Sequence, residues 1–289
     1  MDQTMQITMP TTSRELYSAG PYRLMRCRRG LMLFNRNDLY IGKSLEKYGE
    51  FSEFEVLLFE QMVRAGAVVV EAGANIGCHT VALAQRVGPT GRVIAFEPQR
   101  LVHQTLCANL ANNGLTNVDA RRMGLGSQPG RLTVPDLDPH RVENFGGVSL
   151  GQAPVEGHAP SGETVPVVTL DSLELTTCQL LKIDVEGMEL DVLRGSEQLL
   201  AACRPLLYVE NDRADQSPAL IDWLLTHRYR LYWHLPTLFN SQNFAGDPEN
   251  IFPGVVSVNM LGIPAEFHAT MDGFTEILGP DSNWSTANR

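Results

Sequence analysis

The 289-residue sequence has no C-x-x-C pair, no Gly-x-Gly-x-x-Gly, and no basic cluster longer than Arg26-Cys27-Arg28-Arg29. It also lacks any apolar stretch approaching the roughly 18 residues of a membrane span. Each absence excludes something. Five scattered cysteines (Cys27, Cys78, Cys107, Cys178, Cys203) make neither a disulfide framework nor a zinc site, and their odd number points to reduced thiols in a cytoplasm. A formal net charge of −10 with no concentrated basic surface argues against nucleic acid as a partner, because phosphate binding needs clustered lysine and arginine. Met1 to Ser13 lack the charged start and apolar core of a secretory leader, so the expectation is a cytoplasmic chain without a membrane span. What is present is enough for a core: 43% of the residues are hydrophobic, sufficient for one large α/β domain.

The chain is organised around Val68-Val69-Val70-Glu71-Ala72-Gly73-Ala74-Asn75-Ile76-Gly77. Three β-branched residues run into an acid and two glycines, and a helical pattern starts at once in Cys78-His79-Thr80-Val81. This reads as a buried strand, a tight turn and a helix whose first N–H groups face a ligand. The spacing Gly-x-x-x-Gly, without the glycines expected to hold a pyrophosphate, favours S-adenosylmethionine over a dinucleotide. The competing reading is a structural βα turn.

Around this unit the spacing predicts an N-terminal arm to about residue 20 and a hairpin from Arg28 to Tyr40 with its turn at Asn35-Arg36-Asn37-Asp38. A helix over Phe51 to Ala65 follows, with a stripe of Phe54, Val56, Leu57, Phe59, Met62 and Val63. Arg92 to Pro98 is a second buried strand ending in Glu97, placed to accept hydrogen bonds from ribose hydroxyls or else solvated in a turn. A helix from Gln99 to Asn112 and a strand between Asn117 and Met123 come next. The segment from Pro135 to Pro166, rich in proline and glycine, reads as a substrate-side lid with Asn144-Phe145-Gly146-Gly147 at its tip. A fourth strand spans Leu180 to Val185, with a helix opening at Glu186, and a fifth runs from Pro205 into Glu210-Asn211-Asp212. After a helix around Trp223, strands at Tyr229–Trp233 and 255–260 suggest an antiparallel hairpin at the sheet edge. The organisation expected is an arm and hairpin over 1–50, a catalytic domain over 51–264 containing the lid at 135–166, and a tail over 265–289.

Glu71-Ala72-Gly73-Ala74-Asn75-Ile76-Gly77, Ala95-Phe96-Glu97-Pro98, Leu181-Lys182-Ile183-Asp184-Val185-Glu186-Gly187-Met188-Glu189 and Arg204-Pro205-Leu206-Leu207-Tyr208-Val209-Glu210-Asn211 together closely resemble the FkbM family of S-adenosylmethionine-dependent methyltransferases. The resemblance spans about Tyr40 to Pro264. It implies the class I methyltransferase fold, a Rossmann-like α/β seven-stranded mostly parallel sheet with helices on both faces and an antiparallel edge hairpin. It also implies O-methylation of a hydroxyl on a small molecule, sugar, lipid or secondary metabolite. The family usually carries Asp where this chain has Glu71, which keeps the carboxylate and adds a methylene.

On that footing Gly73, Ala74, Asn75 and Gly77 are expected to hold the methionine end of the cofactor, with Glu71 near its amino group and Glu97 on the ribose. Asp184 is expected to orient or deprotonate the acceptor hydroxyl; its rival reading is an N-cap for a helix beginning at Val185. Glu186 reads as a dipole-favoured acid at that helix start. His234, at a strand end, is a candidate base or a hydrogen-bonded structural residue, and Glu210 is a further catalytic candidate. No metal is assigned; Asp184, Glu210 and Asn211 form an alternative magnesium set, by analogy with catechol O-methyltransferase-like enzymes. An NAD-dependent oxidoreductase and a non-catalytic nucleotide-binding module are the competing functions. A homo-oligomer is compatible with the sequence.

Overall fold

The computed structural model describes residues 14–147, 162–269 and 271–287. Part of the expected N-terminal arm (1–13), part of the expected lid (148–161), and residues 270, 288 and 289 of the tail lie outside the described residues.

The chain enters through an antiparallel sheet of β1 (Glu15–Ala19), β2 (Tyr22–Cys27) and β3 (Gly30–Asn35), followed by α1 (Ile41–Tyr48) and α2 (Glu53–Met62). Then come β4 (Val68–Ala72), α3 (Cys78–Val87), β5 (Arg92–Phe96), α4 (Arg100–Asn112) and β6 (Val118–Arg121). A small sheet of β7 (Gly124–Leu125), β8 (Gly130–Pro135) and β9 (Gly162–Val168) precedes β10 (Leu180–Ile183), α5 (Glu189–Arg194), α6 (Glu197–Cys203) and β11 (Leu206–Glu210). The chain closes with α7 (Ser217–Thr226), β12 (Tyr229–His234), β13 (Asn259–Pro264) and β14 (Thr275–Ile277).

Among the described residues the main sheet has eight strands, in the order β14-β12-β13-β11-β10-β4-β5-β6. The five from β11 to β6 pair in parallel, as near-continuous apolar runs buried on both faces should. Alternate residues of each strand feed different cores. Val70, Ile94, Leu181 and Leu207 pack with α5, α6 and α7, whereas Val69, Val93 and Leu180 pack with α2, α3 and α4. This is the doubly wound class I architecture. The chain winds outward from β4 to β6 and then crosses to β10, so the order reverses between β4 and β10, where open α/β sheets bind ligands.

The N-terminal sheet is tied to this frame by two asparagines of α4. Asn113 accepts from the Leu31 N–H (2.8 Å) and donates to the Leu31 carbonyl (2.7 Å), which satisfies the free edge of β3 as a neighbouring strand would. Asn109 does the same for Leu33 and also donates to the Ile76 carbonyl at 2.8 Å, fastening the sheet to the glycine turn.

Several expectations change. The first hairpin turns at Arg28-Arg29, where Gly30 at φ +130° lies so close to Asn113 that a Cβ would stand 2.0 Å from its Oδ1. The expected turn at residues 35–38 instead starts α1: Asn35 accepts from the Asn37 N–H, and Asp38 accepts from the Tyr40 and Gly42 N–H groups. In α2 the inward face carries Glu55, Val56, Leu58 and Phe59, while Phe54 and Leu57 are 38% and 42% exposed. The main sheet has eight strands in place of seven, and the late strand is Asn259–Pro264, inserted antiparallel between β11 and β12. β14 covers the far side of β12, so the β12–β13 pair is not the sheet edge.

Candidate functional site

At the end of β4 the chain must turn away from β10, and Gly73 (φ +81°) allows it. A Cβ built there would lie 1.7 Å from the Asp184 carbonyl oxygen. The Gly73 and Ala74 N–H groups donate to the Phe96 carbonyl at 3.0 and 2.9 Å, which sets the turn against the end of β5. Glu97, the residue after β5, is 5% exposed; its two oxygens accept from the Asn75 N–H (3.0 Å) and the Gln99 N–H (2.9 Å). Burial pushes the Glu97 carboxyl up to about 7 despite these two bonds. A carboxylate has about four acceptor sites, so two remain for a ligand.

Glu71 lies elsewhere. It is fully buried beneath the turn, where the Thr80 hydroxyl donates to it at 2.6 Å and Lys182 Nζ stands 3.9 Å away. Burial, opposed by the Lys182 charge and the Thr80 bond, leaves its carboxyl near 7. It faces neither cavity described below. Gly77, at the start of α3, also lies outside both.

Two cavities meet at this turn. The smaller, of about 500 Å³, is lined by Phe96, Pro98, Met123, Leu125 and Leu132, with Glu97 at its side. The larger, of about 1370 Å³ and open to solvent, carries Ala74, Asn75, His79, Glu55, Glu210 and Asp212. Gly73, Glu97, Asp184, Glu186 and Gly146 line both. Gly146 closes on the turn tightly enough that a Cβ would stand 2.5 Å from Asn75 Nδ2. Its segment is fixed by the Phe145 N–H donating to Asp38 and by Gln99 Nε2 donating to the Phe145 carbonyl.

Asp184 follows β10 with its side chain 36% exposed, and Lys182 Nζ donates to its Oδ2 at 2.9 Å. Lys182 is 1% exposed. Burial alone would drive its ammonium toward neutrality, yet Asp184, Glu71 and Glu55 outweigh that and raise it. Asp184 does not cap a helix. Residues 185–188 are not helical, α5 starts at Glu189, and Glu189 itself accepts from the Val185 and Gly187 N–H groups at 3.2 and 3.0 Å. Glu186 therefore does not sit at a helix start: its φ is +58°, and it pairs with Arg213 at 2.9 Å. Burial, then the Asp184 charge, pushes the Glu186 carboxyl up to about 7.

Glu210 reaches the larger cavity, and its Oε2 is buried without a hydrogen-bond partner. Burial and the neighbouring Asp184 and Glu186 raise its carboxyl well above the usual range. Oxygens of Asp184, Glu186 and Glu210 lie within 4.8 Å of one another. Asn211 does not line the larger cavity: it is buried, and its Nδ2 donates to Ser217 Oγ at 2.9 Å. His234 is also apart, lining a separate cavity with Phe54, Trp233 and Phe274. The Tyr208 hydroxyl lies 2.8 Å from its Nδ1, and burial pushes the imidazole down to about 4.

The sequence reading missed Glu55, His79 and Lys182 as site residues. Lys182 had a signal: a lone lysine inside the apolar run of β10 must find carboxylates once buried. Among the described residues no helix is long and apolar enough to cross a membrane, and the five cysteines are unpaired.

Residues 71–231 match the family described as Methyltransferase FkbM domain. The sequence is 30% identical over 164 residues to methyltransferase sdnD of Sordaria araneosa, covering 45% of this chain and 60% of that protein. It is 29% identical over 143 residues to methyltransferase 1 of Beauveria bassiana, covering 44% and 57% respectively. The chain thus spans a little under two thirds of the length of these curated relatives. The crystal structure of methyltransferase FkbM from Methylobacillus flagellatus KT aligns at a TM-score of 0.48 and 19% identity, over 70% of this chain and 45% of that one.

Proposed function

This chain belongs to the FkbM methyltransferase family, and from that premise we propose that it moves a methyl group from S-adenosylmethionine to a hydroxyl oxygen of a small molecule, sugar, lipid or secondary metabolite, with Asp184 orienting and deprotonating the hydroxyl. The observation that carries this reading is that Asp184 lines both cavities, at their junction with Gly73 and Glu97.

The residues suit the donor. The apolar slot of Phe96, Pro98, Met123, Leu125 and Leu132 accepts a flat base, and the free acceptor sites of Glu97 suit ribose hydroxyls. When bound, the cofactor supplies a methyl group on a positively charged sulfur that needs no further activation. The chain's own task is then mainly positioning. Lys182 fixes Oδ2 of Asp184, which leaves Oδ1 to accept the proton of an acceptor hydroxyl. Asp184 would take up the proton of the acceptor hydroxyl at Oδ1 and release it to solvent by its exposed side.

Among the described residues, the acids Glu55, Glu97, Asp184, Glu186, Glu210 and Asp212 outnumber the one cation, Lys182, along the larger cavity, which disfavours nucleic acid and other phosphate-bearing acceptors. A magnesium ion is the second reading, supported by the unpartnered Oε2 of Glu210 within the trio of carboxylates. We place it second because Lys182 and Arg213 already neutralise Asp184 and Glu186. Calorimetry with S-adenosylhomocysteine and with NAD tests the donor: heat with the first and none with the second is expected, and the reverse would transfer the site to an oxidoreductase.

A further inference from the structure

Glu71 was the residue expected near the amino group of the donor, and it lies sealed beneath the turn. The larger cavity runs on from Gly73, Ala74 and Asn75 to Cys78 and His79 in the first turn of α3, and Glu55 of α2 lines it beside them. We propose that His79 with the first turn of α3 holds the carboxylate of the donor's amino-acid head, and that Glu55 takes its ammonium. This rests on the cofactor reading above and adds residues to it.

Three observations converge. His79 lines the cavity and is 7% exposed, and its buried Nε2 has no hydrogen-bond partner among the described residues. A buried polar atom left unpaired is costly, and a ligand in the adjoining cavity would complete the bond. The ring is held edge-on by Phe59 (5.4 Å between centroids) and flanked by Phe51, so it cannot swing to another partner without repacking both. Burial and the Lys182 charge keep this imidazole well below its ordinary value, so the ring is neutral and donates from Nε2 in the tautomer protonated there.

The helix end adds to the ring. No side chain caps α3, whose first N–H groups lack intrahelical partners and whose dipole favours an anion. Glu55 supplies the opposite pole. Its Oε2 is 3.7 Å from His79 Nε2, and Ser52 donates to its Oε1 at 2.6 Å. A donor pole and an acceptor pole side by side match a zwitterion, and the head of S-adenosylmethionine is one.

The test compares S-adenosylhomocysteine with 5′-methylthioadenosine, the same nucleoside thioether without the amino-acid head, by calorimetry on wild type, Glu55→Gln and His79→Phe. Both variants should lose roughly 10- to 100-fold in affinity for S-adenosylhomocysteine. Neither should change its affinity for 5′-methylthioadenosine by more than about twofold. Unchanged S-adenosylhomocysteine binding in either folded variant overturns the proposal, as does an equal loss for both ligands. Failure of wild type to bind either ligand would instead sink the methyl-donor reading itself. Should a variant melt before titration, the ¹⁵N signal of His79 in wild type decides. It should shift with S-adenosylhomocysteine and stay put with 5′-methylthioadenosine, and no shift with the former overturns the assignment.

Discussion

Gly73 and Asp184 approach each other so closely that a Cβ on the first would stand 1.7 Å from the carbonyl oxygen of the second. The glycine therefore serves the joint between β4 and β10 before it serves any ligand. Any side chain added there meets backbone before it meets a ligand. Gly73→Ala should already destabilise the protein by about 3 kcal/mol, combining a clash with a left-handed φ. Chemical denaturation measures it, and a wild-type midpoint would show that the joint relaxes freely.

Glu97 holds the turn as well as its ribose candidate. Glu97→Ala should weaken S-adenosylmethionine binding by about 1–3 kcal/mol and also lower the melting temperature, because the Asn75 and Gln99 N–H groups lose their acceptors. Calorimetry and a thermal melt on the same sample separate the two effects. Full cofactor affinity in the variant would remove Glu97 from the site.

Glu71 gives a pH signature. Its carboxyl is raised in the folded state to about 7, against about 4.3 in an unfolded chain. The folded state holds that proton more tightly, so the stability it contributes is present below pH ~4.3 and lost as pH rises through about 7. Glu71→Gln removes the titration. The melting temperature of the variant minus that of wild type should therefore rise between pH 5 and 7.5, by the equivalent of about 1–3 kcal/mol. A flat difference would mean that Lys182 keeps Glu71 ionised throughout.

The parts of the fold that were legible are those where one segment carries its own signal. Val68–Ala72 with its glycines, and the acid closing β5, could be read because apolar runs and turn residues are local. Properties that depend on which segments become neighbours were not. His234 was placed at the site because its strand end was taken to face it, but β13 inserts between β11 and β12 and carries that end to another cavity. Glu186 joins Asp184 and Glu210 because a left-handed conformation at Glu186 and Gly187 redirects the chain, and no residue type announces it at a glutamate; Asn211 is instead engaged by Ser217. Glu55 was passed over because a helical stripe was drawn through Phe54 and Leu57, when the acid was the member turned inward.

The central claim is that Asp184, held by Lys182 where the two cavities join, handles the acceptor hydroxyl. Its most direct test is the initial rate of tritium transfer from methyl-labelled S-adenosylmethionine to the acceptor in wild type and Asp184→Asn, with and without EDTA. The account predicts cofactor affinity near wild type, turnover lower by roughly 10²–10⁴-fold, and no effect of the chelator. Turnover of Asp184→Asn within a few-fold of wild type, or arrest of the wild-type enzyme by EDTA, would contradict it, the latter in favour of a metal held by Asp184, Glu186 and Glu210.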